Sequence, residues 1–154
     1  MNMFLEGILA ISGQPGLYKQ VSQSKNSIIV ESIETGKRFP TFSAAKISAL
    51  QDVAIYTSDK EVHLAEVFSN AYNAMEQFPN ISPKSADKEL YAYFEVILPD
   101  YDREKVYLSD IRKVVSWFTL LHKANIITRE NLDAYFEEVK NAEAAENEAE
   151  PAEE

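Results

Sequence analysis

The side chains that most often perform catalysis or bind metals are scarce in this sequence. Its 154 residues include no cysteine and only two histidines, His63 and His122, which stand far apart in the chain. Disulfides, thiolate metal sites and cysteine nucleophiles are therefore excluded, and histidine-based metal or triad chemistry is nearly excluded. Because no nucleophile and base occur at a recognisable spacing, we expect no enzymatic activity and no cofactor.

The acidic run that begins at Asp100 resembles the start of a calcium-binding loop. Asp100, Asp102 and Glu104 alternate along the chain, as the first ligands of such a loop do. The loop also needs glycine at its sixth position and glutamate at its twelfth, where Lys105 and Ile111 stand. We therefore expect an acidic connection between two helices and no metal site.

The glycine-containing segment 13–16 (GQPG) suits a turn better than a phosphate site. It lacks the G-x-x-x-x-G-K pattern, and Pro15 removes one of the backbone amides that an anion needs. Proline fixes φ and Gly16 accepts a positive φ, so the pair predicts the centre of a type II turn.

Basic and aromatic side chains alternate in the first sixty residues, and this pattern indicates a binding surface. Small β-barrels bind peptides or single-stranded nucleic acid through aromatic rims with basic margins. The alternative is that the rings fill the core and the lysines only keep the module soluble. The residues predicted to bind are Tyr18, Lys19, Lys37, Arg38, Phe42 and Lys46, and the wider pattern includes Lys25, Phe39 and Tyr56.

Negative charge is concentrated towards the C-terminal end. The formal net charge is −10, whereas residues 1–60 carry a net charge of +1. This balance excludes a generally basic nucleic-acid-binding protein but leaves room for a local basic patch. Residues 141–154 contain six glutamates, no basic side chain and no large apolar one. With so little apolar surface to offset the entropy of ordering, we expect a solvated, disordered acidic tail over 141–154. Because alanine and glutamate favour helix, this segment can extend the last helix for a turn.

Short apolar runs separated by turn residues predict strands in the N-terminal part of the chain. A set of short strands leaves unpaired edges when the sheet is open, and closure into a small barrel removes them. We therefore expect a small Tudor-like β-barrel of four or five short strands over residues 1–60. An open sheet covered by the following helix is the second choice. The predicted strands are 8–11, 17–23, 28–33, 38–39 and 53–56, with one or two helical turns at 44–50.

Apolar residues recur at helical spacing through the rest of the chain. This pattern predicts a connecting helix and linker over 61–82 and a helical bundle over 83–140, and therefore an α+β fold overall. Serine or threonine before a helix and proline or asparagine after it mark the expected helix ends. The expected N-caps are Ser82, Ser109 and Thr128, and the expected stops are Pro79, Pro99 and Asn125.

Several motifs of the chain resemble a family of short bacterial proteins of unknown function. The resemblance covers both predicted modules but not the middle connection or the tail. It implies the two-part layout and a bacterial cytosolic setting, and no assigned activity. The motifs are 7–13 (GILAISG), 15–19 (PGLYK), 31–32 (ES), 35–40 (TGKRFP), 46–50 (KISAL), 54–57 (AIYT), 106–107 (VY) and 109–111 (SDI), with Lys113, Val115 and Trp117.

These observations favour a non-catalytic binding or adaptor protein of the cytoplasm, with a protein or peptide as its partner. The alternative is a weak nucleic-acid-binding protein that uses the basic and aromatic rim of the N-terminal module. The apolar run 4–11 is interrupted by Glu6 and is far shorter than the ~20 residues of a membrane span, so we expect no membrane insertion.

Overall fold

Short strands in the first part of the chain and helices in the second give an α+β fold. The computed structural model describes residues 4–14, 16–42 and 46–149, with side chains as far as residue 145. The strands are β1 Ile8–Ile11, β2 Tyr18–Gln23, β3 Ser27–Ser32, β4 Arg38–Phe42, β5 Ile47–Ala49, β6 Ala54–Tyr56 and β7 Glu61–His63. The helices are α1 Leu64–Asn73, α2 Asp87–Ile97, α3 Leu108–Lys123 and α4 Arg129–Ala149, with 3-10 turns at Leu50–Asp52 and Met75–Gln77.

The first five strands form one antiparallel sheet in the order β4-β3-β2-β1-β5. Strands β2, β3 and β4 follow one another as hairpins, with an irregularity in the β2–β3 ladder between Gln20 and Ser22. Strand β5 returns to the outer side of β1, where Ile11 pairs with Ile47. β1 is therefore an inner strand although it comes first in the chain.

Both faces of β1 are buried, so this strand lies between two hydrophobic clusters. Ile8 packs into the main core with the helices, whereas the next residue, Leu9, packs into a smaller cluster on the opposite face. All five strands contribute to the smaller cluster, so the sheet curls around it. This cluster consists of Leu9, Ile11, Tyr18 and Val30, with Ile28, Phe39, Ile47 and Ala49 packed against it.

The sheet is open and not closed into the expected Tudor-like barrel. Its edge strands, β4 and β5, are not paired with each other. Closure into a barrel is unnecessary for two reasons. The helices cover the second face of β1, and Pro40 in the edge strand β4 has no N–H that could pair with a further strand. The second-choice expectation, an open sheet covered by helix, agrees with the structure.

The expected helical turns at 44–50 are wrong for the residues that the structure describes. Ile47–Ala49 is strand β5, and a 3-10 turn follows only from Leu50. Ile47 and Ala49 face the smaller cluster while Ser48 between them is exposed, so pairing with β1 and burial outweigh the local helix preference. Residues 43–45 and Pro15 of the expected type II turn lie outside the described residues, although Gly16 has the positive φ (+82°) that such a turn requires.

One main core joins the sheet to the helices. Leu17, just before β2, is buried in the same cluster as Phe68 of α1 and Leu121 of α3. The ring of Phe4 meets that of Tyr135 in α4 edge-on, with 5.8 Å between the centroids. The strand-rich and helical parts therefore share buried surface. The module boundaries expected at 60 and 83 stay a prediction.

Two of the expected helix starts differ from the structure, and one is confirmed. Helix α2 begins at Asp87 and not at Pro83, because the N–H of Ser82 donates to Ser85 Oγ (2.9 Å) in a separate turn. Helix α3 begins one residue before Ser109, and Asp110 accepts the N–H of Tyr107. Thr128 does cap α4, since its Oγ1 accepts the N–H of Asn131 at 3.1 Å.

Helix α4 continues to Ala149, further than expected. The expected disorder of 141–154 is therefore not confirmed for residues 141–149, which are helical and rich in alanine and glutamate, and residues 150–154 lie outside the described part. The side chains at 141 and 143–145 are exposed, as expected. No helix within the described residues is long and apolar enough to cross a membrane.

Candidate functional site: a lysine-lined groove

A groove of about 800 Å³ lies between the sheet and helix α3. Its volume is in the range of ~300–1,000 Å³ that is typical of ligand sites. One wall comes from β1, β5 and β6, and the other comes from α3 and the loop before it. We call this feature the lysine groove. It is lined by Ala10, Ile11, Ser12, Gly13, Gln14, Gly16, Lys46, Ser48, Val53, Ala54, Ile55, Tyr56, Lys105, Val106, Asp110, Lys113, Val114, Ser116 and Trp117.

Three lysines from separate elements line the groove. Lys46 precedes β5 on the sheet wall, whereas Lys105 and Lys113 belong to the helix wall. Asp110 is the only carboxylate among the lining residues that the structure describes, and its Oδ2 already accepts the N–H of Tyr107 at 3.0 Å. The groove is thus locally cationic in a chain whose net charge is −10.

The bottom of the groove is apolar. Ile11, Ile55, Val106 and Val114 are buried, and Trp117 on α3 is half-buried beside them. Lys113 and Trp117 are four residues apart and share one face of the helix. A ligand in this groove therefore meets cations at the walls and apolar surface beneath.

The loop that carries Lys105 is fixed to β6 by hydrogen bonds. Asp102 donates its N–H to the carbonyl of Tyr56 at 2.9 Å. The Oδ1 of Asp102 accepts the N–H groups of Glu104 (2.9 Å) and Lys105 (3.2 Å). The acidic run that resembles a calcium loop thus forms a turn that positions Lys105. No three histidine or carboxylate side chains come together as a metal site anywhere in the described residues.

The structure places one of the six predicted binding residues in this groove, namely Lys46. Tyr18 is only 5% exposed and packs edge-on against Phe39 with 5.4 Å between ring centroids, so this ring belongs to the core, as the alternative interpretation had it. Lys19 is exposed on β2 and pairs in register with Glu31 of β3.

The remaining three predicted residues lie on β4 or just before it, at the opposite edge of the sheet from β5. Arg38 Nε contacts Glu31 Oε1 at 3.0 Å, and the adjacent Lys37 is exposed. Phe42 is 62% exposed and lines a separate cavity of about 270 Å³. Ile47, which follows Lys46, lines the same cavity as Phe42. None of the three residues lines the lysine groove, and a binding role for them stays a prediction.

Sequence reasoning missed most of the groove. In the sequence, Lys105 is visible only as a mismatch to a calcium loop, and Lys113 and Trp117 only as residues of the family resemblance. A signal was nevertheless present, because several residues that carry the family resemblance meet in the groove. They include Lys46, Tyr56, Val106, Asp110, Lys113 and Trp117.

Two family models match successive parts of the chain, and both are described as domains of unknown function. Residues 5–50 match the Domain of unknown function (DUF5606), and residues 53–121 match the Domain of unknown function (DUF6852). The lysine groove lies where these two regions meet, since residues 10–48 and 53–117 both contribute to it. No curated protein matches the chain.

A solution NMR structure from Bacteroides vulgatus, determined by the Northeast Structural Genomics Consortium, is similar to this chain. The two are 38% identical with a TM-score of 0.61, and the match covers 80% of this chain and 89% of the other. The chain therefore belongs to the family of this protein, a family of unknown function to which both matched domains point. Neither domain description names a catalytic activity.

Proposed function

We propose that this protein is a non-catalytic binding protein of the cytoplasm that docks an acidic segment of a protein partner in the lysine groove. The observation that carries the proposal is the reversal of charge: three lysines and one already hydrogen-bonded carboxylate line a groove of about 800 Å³ in a chain of net charge −10. Such complementarity steers association and selects partners of opposite charge.

A single-stranded nucleic acid is the second candidate. It is favoured by Tyr56, whose ring is 45% exposed with the Nζ of Lys105 5.1 Å from its centroid. An aromatic face beside a cation is the arrangement on which bases stack. A phosphate backbone, however, extends beyond the groove, where the net negative charge repels it. A short acidic segment stays within the ~8–10 Å over which the groove lysines act.

Capture by the immobilised full-length protein tests this proposal. The groove variant combines Lys46→Glu and Lys113→Glu, and its control combines Lys84→Glu and Lys88→Glu, two exposed lysines outside the groove. We expect a protein partner that survives nuclease treatment, is lost from the groove variant and is kept by the control. Loss of capture after nuclease treatment favours the nucleic-acid candidate, and equal capture by both variants contradicts the groove as the site.

The earlier candidate surface on β4 is tested in the same assay. Combined replacement of Lys37→Glu and Arg38→Glu changes the local charge by as much as the groove variant does. We expect this variant to retain the partner, because neither residue lines the groove. Loss of the partner here, with retention by the groove variant, places the site on β4.

A further inference from the structure

We propose that the lysine groove holds its acidic segment in an extended conformation, as a short strand added to the outer edge of β6. This inference rests on the proposed function and deepens it by naming the conformation of the bound segment. Peptide recognition by strand addition draws affinity from main-chain hydrogen bonds and specificity from the alternating side chains.

The hydrogen bonds of β6 show which backbone groups face outwards. Leu64 donates its N–H to the carbonyl of Val53 (3.2 Å), and Thr57 donates its N–H to the carbonyl of Lys60 (2.7 Å), so positions 53 and 57 face β7. Tyr56 faces the other way, because its carbonyl accepts the N–H of Asp102. Since backbone groups two residues apart point to the same edge, the N–H and C=O of Ala54 also point away from β7.

The groove runs along this outer edge of β6. The four consecutive residues 53–56 all line the groove. A groove over one face of a strand is lined by alternate residues, because the residues between them face away. Lining by consecutive residues therefore indicates the edge of the strand. The isolated bridge between Thr57 and Tyr101 occupies the end of the edge beyond Tyr56. The position left for a bound segment is therefore at Ala54, where one incoming residue can exchange both backbone hydrogen bonds.

The positions of the lysines fit an extended acidic segment. Successive side chains of a strand point to opposite sides. Lys46 lies on the sheet wall and Lys113 on the helix wall, so acidic side chains on both sides of the segment meet a cation. The buried residues Ile55 and Val114 also line the groove, so an apolar side chain on the same side as an acidic one meets apolar surface beside the cation.

Binding of a synthetic peptide tests the inference. The probe is a labelled peptide of sequence Glu-Glu-Val-Glu-Glu with blocked ends, and its matched control carries a methyl group on every backbone nitrogen. Methylation keeps the four charges but removes the N–H donors and obstructs strand pairing. We expect the full-length protein to bind the control about two- to tenfold more weakly, the range that corresponds to the loss of one net hydrogen bond. We also expect the amide resonance of Ala54 to move downfield with the unmethylated peptide.

The outcomes separate this inference from the proposed function. Equal binding of both peptides, with loss of both in the Lys46→Glu and Lys113→Glu variant, overturns strand addition and leaves the acidic groove ligand in place. Failure of both peptides to bind, while a thymidine hexanucleotide binds to the groove, overturns both claims. Methylation-sensitive binding that leaves the Ala54 resonance unchanged places the strand elsewhere and also overturns the inference.

Discussion

The Nζ of Lys105 lies 5.1 Å from the centroid of the Tyr56 ring. This contact joins the loop before α3 to the end of β6, and the hydrogen bond from Asp102 N–H to the Tyr56 carbonyl holds the same two segments together. Two walls of the groove that are distant in sequence, one on a strand and one before a helix, are thereby fixed relative to each other.

The first prediction concerns this contact. Lys105→Met keeps most of the apolar stem and removes the charge. Because an exposed cation–π pair contributes about 0.5–1 kcal/mol, the melting temperature should fall by only a few degrees. Affinity for the acidic peptide should fall severalfold, measured by fluorescence anisotropy. Lys60→Met, at an exposed lysine outside the groove, is the control and should leave affinity unchanged. Equal affinities for the two variants would remove Lys105 from the site.

The second prediction concerns the core shared by the sheet and the helices. Leu17→Ala removes a side chain that is 1% exposed and packs in the same cluster as Phe68 and Leu121. A buried leucine replaced by alanine costs about 2–5 kcal/mol. We expect urea unfolding, followed by far-ultraviolet circular dichroism and by Trp117 fluorescence, to shift to lower urea in one transition for both signals. Two separate transitions would show that the strand-rich and helical parts unfold independently.

The third prediction concerns alkaline pH. Burial raises the pKa of the Tyr93 hydroxyl from 10.0 to about 12. Between pH 10 and 12 the folded state therefore keeps this proton, whereas the unfolded state has lost it. The contribution of this group to the free energy of unfolding is complete below pH 10 and is lost as the pH rises towards 12. Over this range the free energy of unfolding should fall less steeply with pH for Tyr93→Phe than for the wild type. The same slope in both proteins would mean that Tyr93 is not the responsible group.

The fourth prediction concerns the C-terminal segment. Deletion of 141–154 should leave the melting temperature nearly unchanged, because the side chains at 141 and 143–145 are exposed. The deletion also removes six negative charges, so affinity for an acidic ligand should rise and should fall again with added salt. A large drop in melting temperature would mean that the segment packs on the body of the protein.

The sequence predicted the elements that local patterns determine. The apolar spacing of Leu64, Val67 and Phe68 predicted α1, although this helix ends at Asn73 and not at Pro79. Thr128 predicted the start of α4. Short apolar runs separated by turn residues predicted most strands of the sheet. These features depend on neighbours in the chain, and such neighbours are visible in a sequence.

Features that depend on distant contacts were not predictable in this way. Ile47–Ala49 is a strand because it pairs with β1, about forty residues earlier. The curled sheet stays open because helices from the second half of the chain cover β1. The groove combines Lys46 with Lys105 and Lys113, which only the tertiary fold brings to one place.

Trp117 allows a direct measurement of whether an acidic ligand occupies the lysine groove. It is the one tryptophan of the sequence, and it lines the groove half-buried. We therefore propose to titrate the full-length protein with the unlabelled Glu-Glu-Val-Glu-Glu peptide and to record Trp117 emission. We expect a saturable change in emission that is absent from the Lys46→Glu and Lys113→Glu variant and present in the Lys84→Glu and Lys88→Glu control. Saturable peptide binding, measured in parallel by calorimetry, that leaves Trp117 emission unchanged would contradict it.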